Sequence, residues 1–229
     1  MPTNSTPPTH SADTVLLRVA SNTLETLLWQ RRDEPHALRF ALPGGLLERG
    51  ESLEEAALRH LAAKVGAGPV AHLEQLETRS EPERDPRGWL ITTAFLALAR
   101  PDIQVAERAD TAWYPALDPP TLAFDHAELL RIAIDRLRGK LSYSNIAFAL
   151  VRPAFAISEL RDVYQAVLGY EVSPTNLQRV LERDGLIEPT GERRPPGRRG
   201  GRPPELHRFS HDHLTISRPY AAFAPRRTS

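Results

Sequence analysis

Residues 41–67 read ALPGGLLERGESLEEAALRHLAAKVGA. Within this stretch Ser52 carries the short hydroxyl that caps a helix N-terminus, and Glu55, three residues on, completes a capping box. Gly66 supplies the left-handed residue on which helices commonly stop. A capped surface helix after a Pro43-Gly44-Gly45 turn accounts for those signals. It leaves unexplained the wider spacing of Gly45, Glu51, Arg59, Leu61 and Gly66.

Working outward, Thr14–Val19 and Thr23–Arg31 are apolar runs separated by Ser21-Asn22, which predicts a β-hairpin. Gly88–Ala99 is a long β-forming run suited to a central strand, and Ile103–Ala106 and Ala112–Tyr114 read as shorter strands. Asp125–Leu141 has helical spacing, with Asp125 as its cap. Strands around two helices predict an α+β or α/β unit over 13–141. Residues 1–12 and 216–229 are poor in apolar side chains and are expected to be loose.

After residue 141 the character changes. Asn145–Val151, Ile157–Leu168 and Pro174–Asp184 read as short helices, the third capped by Ser173, opened by Pro174 and ended by Gly185. Leu186–Pro189 and Leu206–Phe209 are strand candidates flanking an insert, 190–205, rich in Arg, Gly and Pro. Three helices and then a two-stranded hairpin is the order of a winged helix, placed here at 142–215. In a helix–turn–helix the second helix enters the major groove. That makes Thr175, Asn176, Gln178, Arg179 and Arg183 candidate DNA contacts, and Leu177, Val180 and Leu181 candidate core. Arg193, Arg194, Arg198, Arg199 and Arg202 form a basic wing suited to phosphates and the minor groove.

The formal charge of the 229-residue chain is zero, from 29 basic and 29 acidic side chains. Residues 1–141 hold 16 basic and 20 acidic groups, and residues 142–229 hold 13 and 9. The acidic half and the basic half cancel, so the neutral total does not argue against nucleic acid. Absence of cysteine excludes disulfides, thiolate catalysis and Cys-ligated zinc and fits a cytoplasmic location. No apolar run reaches the roughly 20 residues of a membrane span.

The spacing from Gly45 to Gly66 resembles the Nudix box, in which Gly, five residues, Glu, seven residues and Arg-Glu-apolar-any-Glu-Glu-any-Gly follow one another. In that family three acidic residues of the helix hold divalent metals around a pyrophosphate. Here their positions are taken by His60, Ala63 and Lys64. Magnesium requires oxygen ligands, so the resemblance implies the fold without metal and without hydrolysis. A disabled pyrophosphatase can still sense a pyrophosphate. Candidate ligand contacts are Arg31, Arg32, Arg39, Phe40, Gly44, Gly45, Glu51, Arg84, Asp85, Arg87 and His126. Arginine suits phosphates through its planar fork of donors.

Phe124-Asp125-His126-Ala127-Glu128, Phe155-Ala156-Ile157-Ser158-Glu159-Leu160, Tyr164, Val167-Leu168-Gly169, Asn176 and Arg202-Pro203 with Leu206 and Arg208-Phe209 resemble the NrtR family of Nudix-related regulators. That resemblance implies a homodimeric repressor on a pseudo-palindromic operator of NAD-metabolism genes. It also implies ADP-ribose, or a related NAD-derived nucleotide, as effector. Chain order alone makes the helix Asp125–Leu141, which joins the pocket to the DNA-binding domain, the candidate lever. Ala156 stands where the family often has a capping Thr. A Nudix hydrolase with an accessory nucleic-acid-binding domain is the alternative, and an RNA-binding or protein-interaction winged helix is a third reading.

Overall fold

The computed structural model describes residues 8–194 and 203–216. Its first half is a seven-stranded mixed sheet between helices. The predicted hairpin is present as β1 (Thr9–Ala20) and β2 (Thr23–Gln30). Ser21 and Asn22 both take positive φ, 48° and 64°, the geometry that matches a two-residue turn to strand twist. Strand β1 starts at Thr9, inside the segment expected to be loose, although its first residues are polar. They are satisfied sideways: Ser11 Oγ lies 2.8 Å from Thr92 Oγ1, and His10 Nε2 lies 2.9 Å from Thr93 Oγ1.

Short β3 (Phe40–Ala41) and β4 (Gly44–Leu46) come before the helix α1 (Leu53–His60). The capping box forms as predicted, Ser52 Oγ accepting from Glu55 N and the Glu55 carboxylate accepting from Ser52 N. Beyond His60 the helix continues as a π-helical turn, Leu61–Val65, and stops at Gly66 with φ 62°. Then follow β5 (His72–Arg79), β6 (Leu90–Leu98), β7 (Thr111–Pro115) and α2 (His126–Leu141).

The principal strand order is β3-β2-β1-β6-β5, with β4 on β1 and β7 on β2. Strand β1 runs parallel to β6 from Thr9↔Leu90 to Leu17↔Leu98. Its first part pairs with β4 and its last part with β2. The alternation of side chains divides the apolar residues between two layers. Val15, Leu17, Ala94, Leu96 and Leu98 share one core with Leu129, Ala133 and Leu137 of α2. Leu16 and Ala97 pack with Leu61 and Val65 of the π turn, and Ala12 and Phe95 pack with Ala56 and Ala57 of α1.

One strand expectation needs correction, and one strand went unread. Residues 103–106 form no strand; Val105 makes a single bridge to Ala67. Strand β5 was not read from the sequence. HLEQLETR shows only two apolar residues, because β5 pairs with β6 alone at the end of the principal strand order and carries a bulge near Leu76.

In the second half a 3-10 turn, Ile146–Ala149, leads to β8 (Phe155–Ala156), α3 (Ile157–Leu168), α4 (Pro174–Arg183), β9 (Ile187–Arg193) and β10 (Glu205–Phe209). The predicted hairpin is a three-stranded sheet, since two-residue β8, too short to leave a pattern, pairs Ala156 with Leu206. Ala156 has no side-chain oxygen, and Glu159 closes the start of α3 by accepting from Ala156 N at 2.8 Å. Gly169, at φ 79°, ends α3, and Ser173 Oγ caps α4 through Asn176 N. Among the described residues no helix is long and apolar enough to cross a membrane.

Candidate ligand cleft and nucleic-acid interface

A cleft of about 620 Å³ opens where β1 passes from pairing with β4 to pairing with β2. Alternate residues of β1, Thr9, Ser11 and Asp13, line its floor, and Gly44, Gly45 and Leu46 line one wall. The loop from β5 to β6 contributes Arg84, Asp85, Arg87 and Trp89, the end of β2 contributes Trp29 and Arg31, and the start of α2 contributes Phe124 and His126. Lys64 of the π turn completes the rim. The glycine turn is required by close approach: a Cβ on Gly44 would lie 2.8 Å from the Ala12 carbonyl oxygen and collide with the Asp13 carboxylate.

Four cations and two carboxylates line this cleft, reversing the negative balance of the half that contains it. Arg84 is nearly enclosed, with a side chain 7% exposed. It grips both oxygens of Asp125 at 2.7 and 2.8 Å, bonds Thr92 Oγ1 and lies 3.6 Å from Asp13. Arg79 adds bonds to Asp125 at 3.0 Å and Glu128 at 2.9 Å. Asp125 thus stands at the start of α2, as predicted, but its carboxylate is taken by arginines and caps no backbone N–H. Burial pushes its carboxyl up; the Arg84 hydrogen bonds and charge outweigh that and hold it below the usual range.

His126 is buried, and its Nδ1 accepts from Leu42 N at 3.0 Å. That bond puts the ring proton on Nε2, which faces Asp13 Oδ2 at 3.7 Å. Burial, with positive neighbours Arg84 and Arg31, pushes the imidazole down to about 3, so it is neutral. Burial also pushes the Asp13 carboxyl up to about 6; Arg84 opposes the rise and Asp125 adds to it.

Asp13 therefore has a higher pKa folded than unfolded, and its ionisation costs stability above pH 6. The cost disappears as pH falls from about 6 towards 4. Asp13→Asn is expected to be more stable than the parent by about 1–2 kcal/mol at pH 8. The difference should vanish near pH 4, as followed by urea unfolding at both pH values; a gap independent of pH would show that Asp13 is not the group responsible.

Seven of the eleven predicted ligand residues meet in this cleft: Arg31, Gly44, Gly45, Arg84, Asp85, Arg87 and His126. Four lie elsewhere. Arg32 is exposed and paired with Asp110 at 2.8 Å, and Arg39 is exposed outside the lining. Phe40 packs edge-on against Tyr114 beside the core. Glu51 is held by Arg59 at 2.5 Å and accepts from Glu48 N, bonds that brace the loop ahead of α1 and hold its carboxyl down at about 2. The sequence reading missed Ser11, Asp13, Trp29, Trp89 and Phe124 as lining residues. Asp13 had a signal: it is the single acid in β1, directly ahead of the apolar run Thr14–Val19.

At the three positions of the Nudix metal ligands, His60 Nε2 donates to the Leu46 carbonyl at 3.0 Å and Ala63 is exposed. The Lys64 ammonium lies 4.2 Å from the centre of the Trp29 ring. Among the described residues no three His, Asp or Glu side chains gather as a metal site. The donor set does not fit a divalent metal.

On the other half, α4 buries Leu177 and Leu181, with Val180 half-buried. Thr175, Asn176, Arg179 and Arg183 are exposed on it. Arg179 donates to Asn176 Oδ1 at 2.7 Å, whereas half-buried Gln178 donates to Glu182 at 2.9 Å. Arg193 is exposed on β9. Arg194 is paired with Glu159 at 3.0 Å, a bond that ties the wing to the start of α3 and takes Arg194 out of the free basic set. Arg198, Arg199 and Arg202 lie outside the described residues.

A sheet-and-helix domain with a cationic cleft, joined to a helix–turn–helix with a sheet at its flank, defines a regulator with a ligand-binding half and a DNA-binding half. Residues 8–132 match the model of the NUDIX domain, and residues 147–209 match the NrtR DNA-binding winged helix domain. The chain belongs to the NrtR family of Nudix-related transcriptional regulators. It is 32% identical over 210 residues to the ADPR responsive transcriptional repressor NtrR of Acinetobacter baylyi, covering 89% of this chain and 82% of that one. Shewanella oneidensis NrtR complexed with a 27mer DNA is 34% identical, with a TM-score of 0.78 over 87% of this chain and 92% of that one. The NUDIX domain of the same Shewanella protein, complexed with ADP ribose, is 33% identical, with a TM-score of 0.53 over 60% of this chain and 93% of that one.

Proposed function

We propose that this protein is a repressor of NAD-metabolism genes. In this reading it binds a pseudo-palindromic operator as a homodimer and leaves it when ADP-ribose, or a related NAD-derived nucleotide, fills the cleft. The observation that carries the proposal is the cleft itself. Cations able to hold a diphosphate stand beside the rings of Trp29, Phe124 and Trp89, which can stack on a base. The named relatives, one ADP-ribose responsive and one complexed with DNA, supply the effector and the operator. With His, Ala and Lys in place of the acids, the same cleft turns over no substrate.

Helix α2 is the lever in this reading. Its start lines the cleft, and about 18 Å further along Arg138 Nε donates to the Val167 carbonyl of α3 at 2.8 Å. Glu74 of β5 fastens it on the way, through Lys140 at 2.8 Å and Arg136 at 3.3 Å. A ligand shifts an equilibrium only by its difference in affinity for the two states. The arrangement of Arg84, Asp125 and the start of α2 is where that difference arises.

The test is a mobility shift on the protein's own promoter with increasing ADP-ribose, AMP or ribose 5-phosphate. Release is expected with ADP-ribose at concentrations where the two fragments are inert. A complex that survives saturating ADP-ribose would exclude it as effector, and magnesium-dependent hydrolysis of ADP-ribose would favour the enzyme reading.

A further inference from the structure

Of the four cations in the cleft, two are left over after the internal ion pairs are formed. Arg84 is committed to Asp125 and Arg87 to Asp85, the latter at 2.6 Å. Arg31 gives its guanidinium to two backbone carbonyls, those of Pro35 at 3.0 Å and Asp33 at 3.3 Å. Among the described residues Lys64 pairs with no carboxylate; its ammonium rests on the face of Trp29, over which Arg31 also stands, 6.0 Å from the ring centre. Two neighbouring positive groups without carboxylate partners, beside one aromatic wall, make a seat for an anion.

Lys64 is also held in place from behind. It sits in the π turn, and Arg108 donates to the carbonyl oxygens of Ala63 and Lys64 at 2.6 and 2.9 Å. Partial burial, and then the charge of Arg31, lower its proton affinity, a repulsion that an incoming anion relieves. The position is one where the Nudix pattern would place a metal-binding carboxylate.

We infer that Lys64, with Arg31, seats the diphosphate of the ligand and supplies in fixed form the positive charge that metal-dependent relatives recruit from solution. Ligand binding is accordingly independent of divalent metal. The inference rests on the cleft being the effector site, and it names the residue through which the effector is held.

Calorimetric titration of the full chain with ADP-ribose, ADP and inorganic pyrophosphate, in EDTA and in excess magnesium, tests it. Wild-type affinities are expected to be unchanged by the exchange. Lys64→Gln should weaken all three ligands by about 10- to 100-fold, the value of a charge-assisted hydrogen bond. Lys64→Arg should recover much of the loss, with melting temperatures unchanged because Lys64 is only half-buried. A requirement for magnesium, or Lys64→Gln binding like wild type, overturns the inference. Lys64-dependent binding of ADP and pyrophosphate without ADP-ribose binding would sink the effector and leave the anion seat standing. ADP-ribose binding indifferent to Lys64 would do the reverse, and no binding of any of the three would overturn both.

Discussion

Arg179→Ala is expected to weaken operator binding by about 2–6 kcal/mol while leaving the fold intact. A side chain that reads a base edge contributes roughly 1–3 kcal/mol, and the proposed homodimer would present it twice. Arg179 stands exposed near the middle of α4, and its bond to Asn176 Oδ1 orients the guanidinium without burying it. Nothing in the core depends on it, since Leu177 and Leu181 hold the helix from the other side. Affinity should be measured for operator and for random duplex over a range of salt. Loss confined to the operator, with the salt slope nearly kept, marks a base contact. Equal loss on both duplexes would reduce Arg179 to a phosphate contact.

Arg84→Met is expected to lower stability by about 3 kcal/mol, because a buried ion pair broken from one side leaves the remaining charge uncompensated. Asp125 keeps Arg79, which limits the loss, but Asp13 is left buried without its main positive neighbour. For a chain of this size the change corresponds to a fall in melting temperature of roughly 6–12 °C. A double-mutant cycle with Asp125→Asn isolates the pair: the double variant should be little worse than Arg84→Met alone. Additive losses would show that Arg84 acts through Thr92 or packing instead. The same substitution should impair ligand-dependent release from DNA, since it unfastens the start of α2 from the cleft.

What the sequence made legible follows from where the free energy is local. The capping box at Ser52, the stop at Gly66 and the hairpin turn at Ser21-Asn22 are decided by neighbouring residues, and all three stand as read. The same holds for Ser173 and Pro174 at the head of α4. Strand β5 was illegible because its order comes from a partner thirteen or more residues away, and little of its own composition records that pairing. The cleft was half legible. Arginines near the glycine turn stand out, but whether a given one faces the ligand depends on three-dimensional pairing: Arg31 lines the cleft while adjacent Arg32 goes to Asp110. Asp13 and Trp29 arrive at the cleft through strand register, which no short motif encodes.

The core shared by the two halves has a further consequence. Val15, Leu17 and Leu28 of the sheet, Leu129 and Leu137 of α2, Leu160 and Val163 of α3, and Leu177 and Leu181 of α4 belong to one packed cluster. Close-packed interiors answer a change of volume by shifting as units between discrete arrangements. A methyl group gained or lost on the inner face of the sheet beside the cleft is therefore felt beneath α4, the proposed DNA-reading helix. Exchanging one half between relatives therefore calls for carrying along the packing surface that it shares with the other.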